Sequence, residues 1–400
     1  MTNVYAALEI GTSRTVLAVG AAEAGERLKV VAHAQIPSSG VRKSAITNMN
    51  HATSSVRSVL NEIERRQIKK DVSLSISNAF LVVNGAHIKA DPYQATIPIE
   101  GSKVKDADVD RVLAAAREWS LPRERELLDI VDQTFAVDTH GGISEPRGMS
   151  GRVLKLNTLQ IHADANRIAD ARTAATEAHL DIREALCALT CAGDAVLTER
   201  DRRDGVLHID FGGGSTGFAV YADGCLAAAD TVAVGGDHVT NDIAYAFRTT
   251  AQQAETIKIN EACALVRPEN EARSRVSLPG KSPLVQDRTI SRHGLDTAVN
   301  ARMKEILGII RDSLDEHGFL GQLNAGIVIT GGGAALAGLE ELIRRELAMT
   351  VRKGIPVAVD GFEEAEHPES YAAIAGALAY AHRNYERKSL LGNLFGGLFK

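Results

Sequence analysis

Tryptophan occurs once, cysteine four times and aromatic residues make up only 4% of the chain. Four scattered cysteines (Cys187, Cys191, Cys225, Cys263) are too few for a disulfide framework. Cys187 and Cys191 stand four apart in an apolar stretch without accompanying His or Cys, so buried, reduced thiols are expected there rather than metal ligands. The scarcity of aromatics argues against single-strand nucleic-acid binding by base stacking. Excess positive charge is also missing: the formal net charge is −6, which does not suit a polyanion-binding surface. No Gly-x-x-x-x-Gly-Lys-Ser/Thr loop is present, which excludes a P-loop nucleotide site. The longest apolar run, near Ala372–Ala381, falls far short of a membrane span. The first residues are strand-like and include an acidic Glu9, unlike a signal peptide, so a cytoplasmic location is expected.

What is present is ordinary globular composition, 44% hydrophobic and 24% charged over 400 residues, enough for two to four structural units. Short repeats are absent, but the chain echoes itself on a coarse scale. Val4–Ile10 leads into Gly11-Thr12-Ser13 and then the apolar run Val16–Val19. Gly205–Phe211 leads into Gly212-Gly213-Gly214-Ser215-Thr216 and then Phe218–Tyr221. Each unit reads as strand, glycine-rich turn, strand. Each carries a carboxylate two residues before its first turn glycine, Glu9 and Asp210. This points to a duplicated α/β fold with a cleft between its halves.

Between the halves, strands at Val72–Ser77, Phe80–Asn84, Leu127–Val137 and Val153–His162, with a helix at Asp106–Trp119, describe a small inserted α+β unit from about Leu81 to His162. Thr139–Ser150 reads as a loop. Helices are expected at Asn166–Ala178, Asp237–Phe247, Gln252–Asn260, Asp296–His317, Leu339–Leu347 and Tyr371–Arg383, with a polar stretch from Pro268 to Arg288 and a buried strand at Ala325–Thr330.

A bound triphosphate needs backbone N–H donors that approach closely, which glycine and small hydroxyl residues supply in tight turns. The turns at 11–14 and 212–216 offer that chemistry, and Gly331-Gly332-Gly333 would let a nucleoside lie against bare backbone. Asp210 stands where it could hold hydrated Mg²⁺, with Glu9 facing it. A plain β-turn explains any one of these glycine runs; three of them, each after a strand and repeating by halves, point to a nucleotide.

The combination resembles the actin-like ATPase superfamily. Its first phosphate motif matches Glu9-Ile-Gly-Thr-Ser-Arg14, its second Asp210-Phe-Gly-Gly-Gly-Ser-Thr216 and its adenosine motif Ile327-Val-Ile-Thr-Gly-Gly-Gly333. Glu255 and Lys258 look like the superfamily's adenosine-holding Glu-x-x-Lys pair; otherwise they are a solvated ion pair on a helix. The resemblance narrows to the FtsA family of bacterial cell-division proteins on three further segments: Asn84-Gly85-Ala86-His87-Ile88, Gly235–Phe247, and Ile290-Ser291-Arg292 with Ala301–Ile306. It implies an actin-like fold of two ribonuclease-H-like halves with an SHS2-type insertion. The subdomains it implies are a first-half core (1–80, 163–193 and 364–384), the insertion (81–162), a second-half core (194–240 and 318–363), an outer second-half subdomain (241–317) and a tail (385–400). It implies ATP and Mg²⁺ at Gly11, Thr12, Ser13, Arg14, Gly212, Gly213, Gly214, Ser215, Thr216, Gly235, Gly236, Glu255, Lys258, Gly331, Gly332 and Gly333. Two departures bear on turnover. Arg14 stands where much of the family has Lys, and Gly217 where many relatives have an acidic residue. Slow or absent ATP hydrolysis is therefore expected.

The resemblance also implies filaments on the cytoplasmic face of the membrane at the division site, recruitment of later division proteins, and a partner, FtsZ. Its acidic C-terminal peptide would meet Arg288, Asn300, Arg302 and Lys304; without the family these read as a solvated helix face. At about 100° per residue, Leu390, Leu391, Leu394, Phe395, Leu398 and Phe399 fall on one side of a terminal helix. With Arg387, Lys388 and Lys400 they make the pattern of an interfacial membrane anchor; a helix docked in a protein groove is the other reading. A sugar kinase of the same fold would need a general base besides Glu9 and Asp210, and a pilus-assembly homologue would not need the anchor.

Overall fold

The computed structural model describes residues 2–23, 25–69, 76–267, 274–278 and 287–395. The first sheet holds β1 (Asn3–Ile10), β2 (Arg14–Ala22) and β3 (Lys29–Pro37) as an antiparallel meander. A two-stranded clip follows, β4 (Val41–Arg42) with β5 (Ala45–Ile46). The sheet is then extended by β6 (Asn78–Val83), parallel to β1. Past the insertion, strands β7 (Lys89–Pro98), β8 (Arg125–Val137), β9 (His140–Ile143) and β10 (Val153–Asp164), the chain returns as β11 (Asp181–Cys187), parallel to β6. The first sheet therefore runs β11-β6-β1-β2-β3.

The second half repeats this plan. Strands β12 (Val206–Phe211), β13 (Thr216–Ala222) and β14 (Cys225–Val232) form the meander. The ribbon of β15 (Arg275–Leu278) and β16 (Arg288–Ser291) lies outside the sheet, and β17 (Gly326–Thr330) and β18 (Val351–Lys353) add in parallel. The order β14-β13-β12-β17-β18 is the first sheet's order, with the same pattern of parallel and antiparallel pairs. All six residues of β12, Val-Leu-His-Ile-Asp-Phe, are buried. Such a run, buried on both faces, is what a strand covered on either side requires.

The insertion has its own antiparallel sheet, β7-β10-β8-β9, and its own core of Ala95, Val109, Val112, Ala116, Leu154 and Leu156 under helix Asp106–Arg117. It also touches the second half. The Gln133 amide donates to the carbonyls of Leu226 (2.9 Å) and Ala227 (3.2 Å), and the Cys225 thiol to that of Gln133 (3.3 Å). The exposed edge of β14 is thereby covered, which removes a site of uncontrolled strand pairing.

Several boundaries differ from expectation. The loop at 139–150 contains β9, because Asp138 takes a left-handed conformation (φ 51°) and with Thr139 turns the chain back, pairing His140 with Val137 of β8. The long helix starts at Arg292 rather than Asp296, since the Ser291 hydroxyl caps it by accepting from the Gly294 amide (3.2 Å). The polar stretch after Pro268 holds β15; its residues 268–273 and 279–286 lie outside the described residues, as do 72–75 of an expected strand. The last helix does not stop at Arg383 but runs from Ala372 to Phe395. Arg387, Lys388, Leu390, Leu391, Leu394 and Phe395 are on it, whereas Leu398, Phe399 and Lys400 lie outside the described residues. No described helix is long and apolar enough to cross a membrane. Cys187 and Cys191 are free and buried, and burial pushes both thiols up.

Candidate nucleotide site

The two glycine turns close in the same way. Gly11 donates its amide to the Arg14 carbonyl (3.0 Å), and Gly212 to that of Ser215 (3.0 Å). They also face each other. A Cβ on Gly213 would lie 1.9 Å from the Ser13 Oγ, so only glycine fits this close approach without Ser13 moving. Ser13 Oγ reaches Asp237 Oδ1 at 3.4 Å, and Thr12 Oγ1 accepts from the Ser44 amide at 2.9 Å. Gly235 and Gly236 open helix Gly236–Ala246 against the second turn: Gly236 donates to the Gly212 carbonyl (3.0 Å) and Asp237 to that of Gly213 (2.8 Å).

Glu255 and Lys258 lie on the neighbouring helix, Ala251–Glu261. Their ion pair (2.7 Å) is not a solvated one. Lys258 Nζ also donates to the Gly236 carbonyl (3.1 Å) and Thr240 Oγ1 (2.9 Å), and Thr240 donates to Glu255. The pair thus ties helix Ala251–Glu261 to the start of the helix behind the second turn. Gly331-Gly332-Gly333 follows β17, its first amide donating to the Glu369 carbonyl (3.1 Å).

Glu9 and Asp210 occupy matching ends of β1 and β12; Asp210 is buried and Glu9 half-buried, against the ordinary preference of carboxylates. Burial pushes Glu9 up to about 7, with the nearby Asp210 adding to the rise and Arg14 opposing it. Burial raises Asp210 as well, opposed by a hydrogen bond from Thr330 Oγ1 (2.8 Å) and by Arg14. The Asn84 side chain stands near both carboxylates and favours the ionised form of each. Asn84 was read from sequence only as the entry to the insertion. The signal was in the register: Glu9 pairs with Val82, which puts Asn84 just beyond the end of β1.

A buried and a half-buried carboxylate near each other, each with raised proton affinity, fit a hydrated divalent cation. Mg²⁺ typically takes one or two protein carboxylates and fills its other positions with water and phosphate oxygens. Among the described residues no group of three or more His, Cys, Asp or Glu gathers as a metal cage, so Asp210 and Glu9 are the donors available here. Gly217 is the register partner of Asp210 across β12 and β13.

Arg14 is placed differently from the rest. Its guanidinium donates to Gln35 Oε1 (2.7 Å), Ser370 Oγ (3.0 Å) and the Ser370 carbonyl, with the Tyr371 ring 5.5 Å away. Its charge reaches Glu9 and Asp210, but its hydrogen bonds hold the back of the turn to the segment before the last helix. The four residues expected to meet a partner peptide also divide. Arg302 binds Asp242 (2.7 and 3.0 Å) and Glu305, and Arg288 binds the carbonyls of Phe247 and Arg248, all but Glu305 on or just beyond helix Gly236–Ala246. Asn300 instead donates to the Ala264 carbonyl (2.7 Å), and Lys304 pairs with Glu346 (2.9 Å). The structure brings Arg288 and Arg302 to one neighbour and leaves Asn300 and Lys304 on others.

Comparison with known proteins agrees with this geometry. A family model described as "Cell division protein FtsA" matches residues 207–376, and one described as "SHS2 domain inserted in FTSA" matches residues 85–162. The chain is 31% identical to a cell division protein FtsA of Pseudomonas aeruginosa over 93% of this chain and 88% of that one. It is 29% identical to that of Escherichia coli K12, over 94% and 90%. Among solved structures it is similar in fold to the PilM-PilN type IV pilus biogenesis complex (TM-score 0.63, 18% identity, 94% of this chain and 98% of that one). It is likewise similar to MreB5 of Spiroplasma citri, a structure bound to ADP (TM-score 0.52, 14% identity, 96% and 98%). On the actin-like fold, the inserted SHS2 domain and this identity over nearly the whole length, the chain belongs to the cell-division FtsA family.

Proposed function

We propose that this protein binds Mg-ATP between its two halves, assembles into filaments on the cytoplasmic face of the membrane, and tethers FtsZ there through its C-terminal helix, helping to recruit later division proteins. The observation that carries the nucleotide part is the meeting of both glycine turns at Gly213 and Ser13, beside the carboxylates of Glu9 and Asp210. Gly11, Thr12 and Ser13 with Gly212–Thr216 would hold the phosphates, and Gly235, Gly236, Glu255, Lys258 and Gly331–Gly333 the adenosine. Asp210 and Glu9 would hold Mg²⁺ through water. With no general base apparent besides those carboxylates, turnover is slow or absent.

The membrane part rests on the Leu/Phe pattern of the tail and on a last helix that runs on to Phe395. A dozen residues containing several glycines lose much of their burial free energy to ordering, so one tail binds weakly. Many tails on one polymer bind at high effective concentration, and membrane attachment and assembly support each other. Co-sedimentation with anionic vesicles in Mg-ATP tests this. The full chain is expected in the pellet and a chain ending at Glu386 in the supernatant; equal pelleting of both would discard the tail as anchor.

For the FtsZ peptide, the expected docking point is Arg302 with Arg288. Arg302 already grips a carboxylate, Asp242, in a two-pronged geometry that a peptide carboxylate would share. Arg302→Glu is expected to weaken binding of an acidic FtsZ C-terminal peptide at least about tenfold in fluorescence anisotropy. Undiminished affinity would move the docking surface elsewhere.

A further inference from the structure

His208 is completely buried on β12, two residues before Asp210 and on the same side of the strand. Its Nε2 lies 2.8 Å from Thr330 Oγ1, and Thr330 Oγ1 lies 2.8 Å from Asp210 Oδ1. A hydroxyl has one proton. An ionised carboxylate only accepts, so Thr330 donates to Asp210, and His208 must then donate its Nε2–H to Thr330. The other ring nitrogen, Nδ1, is left unprotonated and buried without a hydrogen-bond partner. An unpartnered buried polar atom works against folding, and an apolar side chain of similar size would avoid it. The imidazole is therefore a costly choice for the core of this sheet, and what it gains is a directed N–H on the Thr330 hydroxyl.

We propose that His208 is a positioning residue for Asp210, acting through Thr330 to fix which carboxylate oxygen faces the hydrated cation. With the Thr330 proton held on Oδ1, the second oxygen is the one presented to the cleft. Without His208 the hydroxyl is free to rotate toward other acceptors, and the carboxylate loses the partner that sets its orientation. The chain of donors runs in one direction, so each bond polarises the next. This inference rests on the nucleotide reading above.

Affinity for a fluorescent ATP analogue, measured in Mg²⁺ and again in EDTA, tests it, with the thermal midpoint read alongside. In His208→Leu the Mg²⁺-dependent gain in affinity is expected to shrink about three- to tenfold, while affinity in EDTA and the thermal midpoint hold or the midpoint rises. His208→Gln, which can return an N–H to Thr330, restores most of the gain. Thr330→Val reproduces the loss, and the double variant loses no more than either single one, because the two residues act in series. A merely structural histidine would lower the midpoint and leave the Mg²⁺-to-EDTA ratio alone; an unchanged ratio in both single variants overturns the proposal. A wild-type chain that binds no nucleotide under either condition would overturn the nucleotide reading and this inference with it.

Discussion

Valine in place of Gly376 is expected to lower the unfolding free energy by about 3 kcal/mol or more. Gly376 lies on the last helix where it crosses helix Ala188–Val196, and a Cβ there would stand 1.8 Å from the Cys191 carbonyl oxygen and 2.4 Å from its carbon. The obstacle is backbone, which cannot swing aside as a side-chain tip can. The crossed helix has no room to retreat either. On its other side Gly193 meets the Tyr221 hydroxyl, which an added Cβ would approach to 2.3 Å, and Tyr221 is itself buried on β13. Helix Ala188–Val196, followed by the short helix Glu199–Asp204, links β11 to β12 and so joins the two halves. Pushing the last helix outward would therefore open the first-half core around Ala192, Ala195 and Leu378 and slacken the joint between the halves. Gly376→Ala should show the same effect at smaller size. Chemical denaturation of the three proteins measures it; a valine variant with the wild-type midpoint would mean that the crossing is looser than this packing requires.

The parts of this architecture legible in the sequence are those that repeat or that demand a particular residue type. Glycine turns after strands announced themselves at 11, 212 and 331, and the matching carboxylates at 9 and 210 gave the duplication before any sheet order was known. The insertion was visible as strands and a helix that do not fit the first half, but Phe80–Asn84, counted among them, corresponds to β6 of the first sheet, parallel to β1 and β11. What stayed hidden depends on distant partners. Asn84 enters the sequence reading only in the segment that resembles the family, and nothing local says that its side chain stands near two carboxylates from opposite halves. His208 reads as one polar residue in an apolar strand. Its meaning comes from Thr330, more than a hundred positions away, which β17 brings alongside β12. Gly376 sits inside a helix, where local propensity alone would count it a weakness. Arg14 ends the first glycine turn, yet its hydrogen bonds go to Gln35 and Ser370, contacts no local pattern carries.

Replacing Asp210 with alanine is expected to weaken Mg-ATP binding about ten- to hundredfold, the worth of a hydrogen bond to a charged group at about 1.5–3 kcal/mol. The fold should survive the change. Asp210 is buried, and burial alone raises its proton affinity, so its charge is held at a cost that alanine relieves. Against that relief stands the loss of the acceptor for Thr330, a donor that must then find a new partner. Asp210→Asn separates the terms: it keeps an oxygen for Thr330 and nearly the same shape but removes the charge. If the carboxylate serves the cation, the asparagine variant loses Mg²⁺-dependent affinity almost as fully as alanine does, while both retain the affinity seen in EDTA. Glu9→Gln should cost less, because burial and the neighbouring Asp210 leave Glu9 partly protonated near neutral pH. Calorimetric titration with and without Mg²⁺ distinguishes these outcomes. Equal affinities for Asp210→Asn and wild type in Mg²⁺ would remove Asp210 from the metal side and leave it as the acceptor for Thr330.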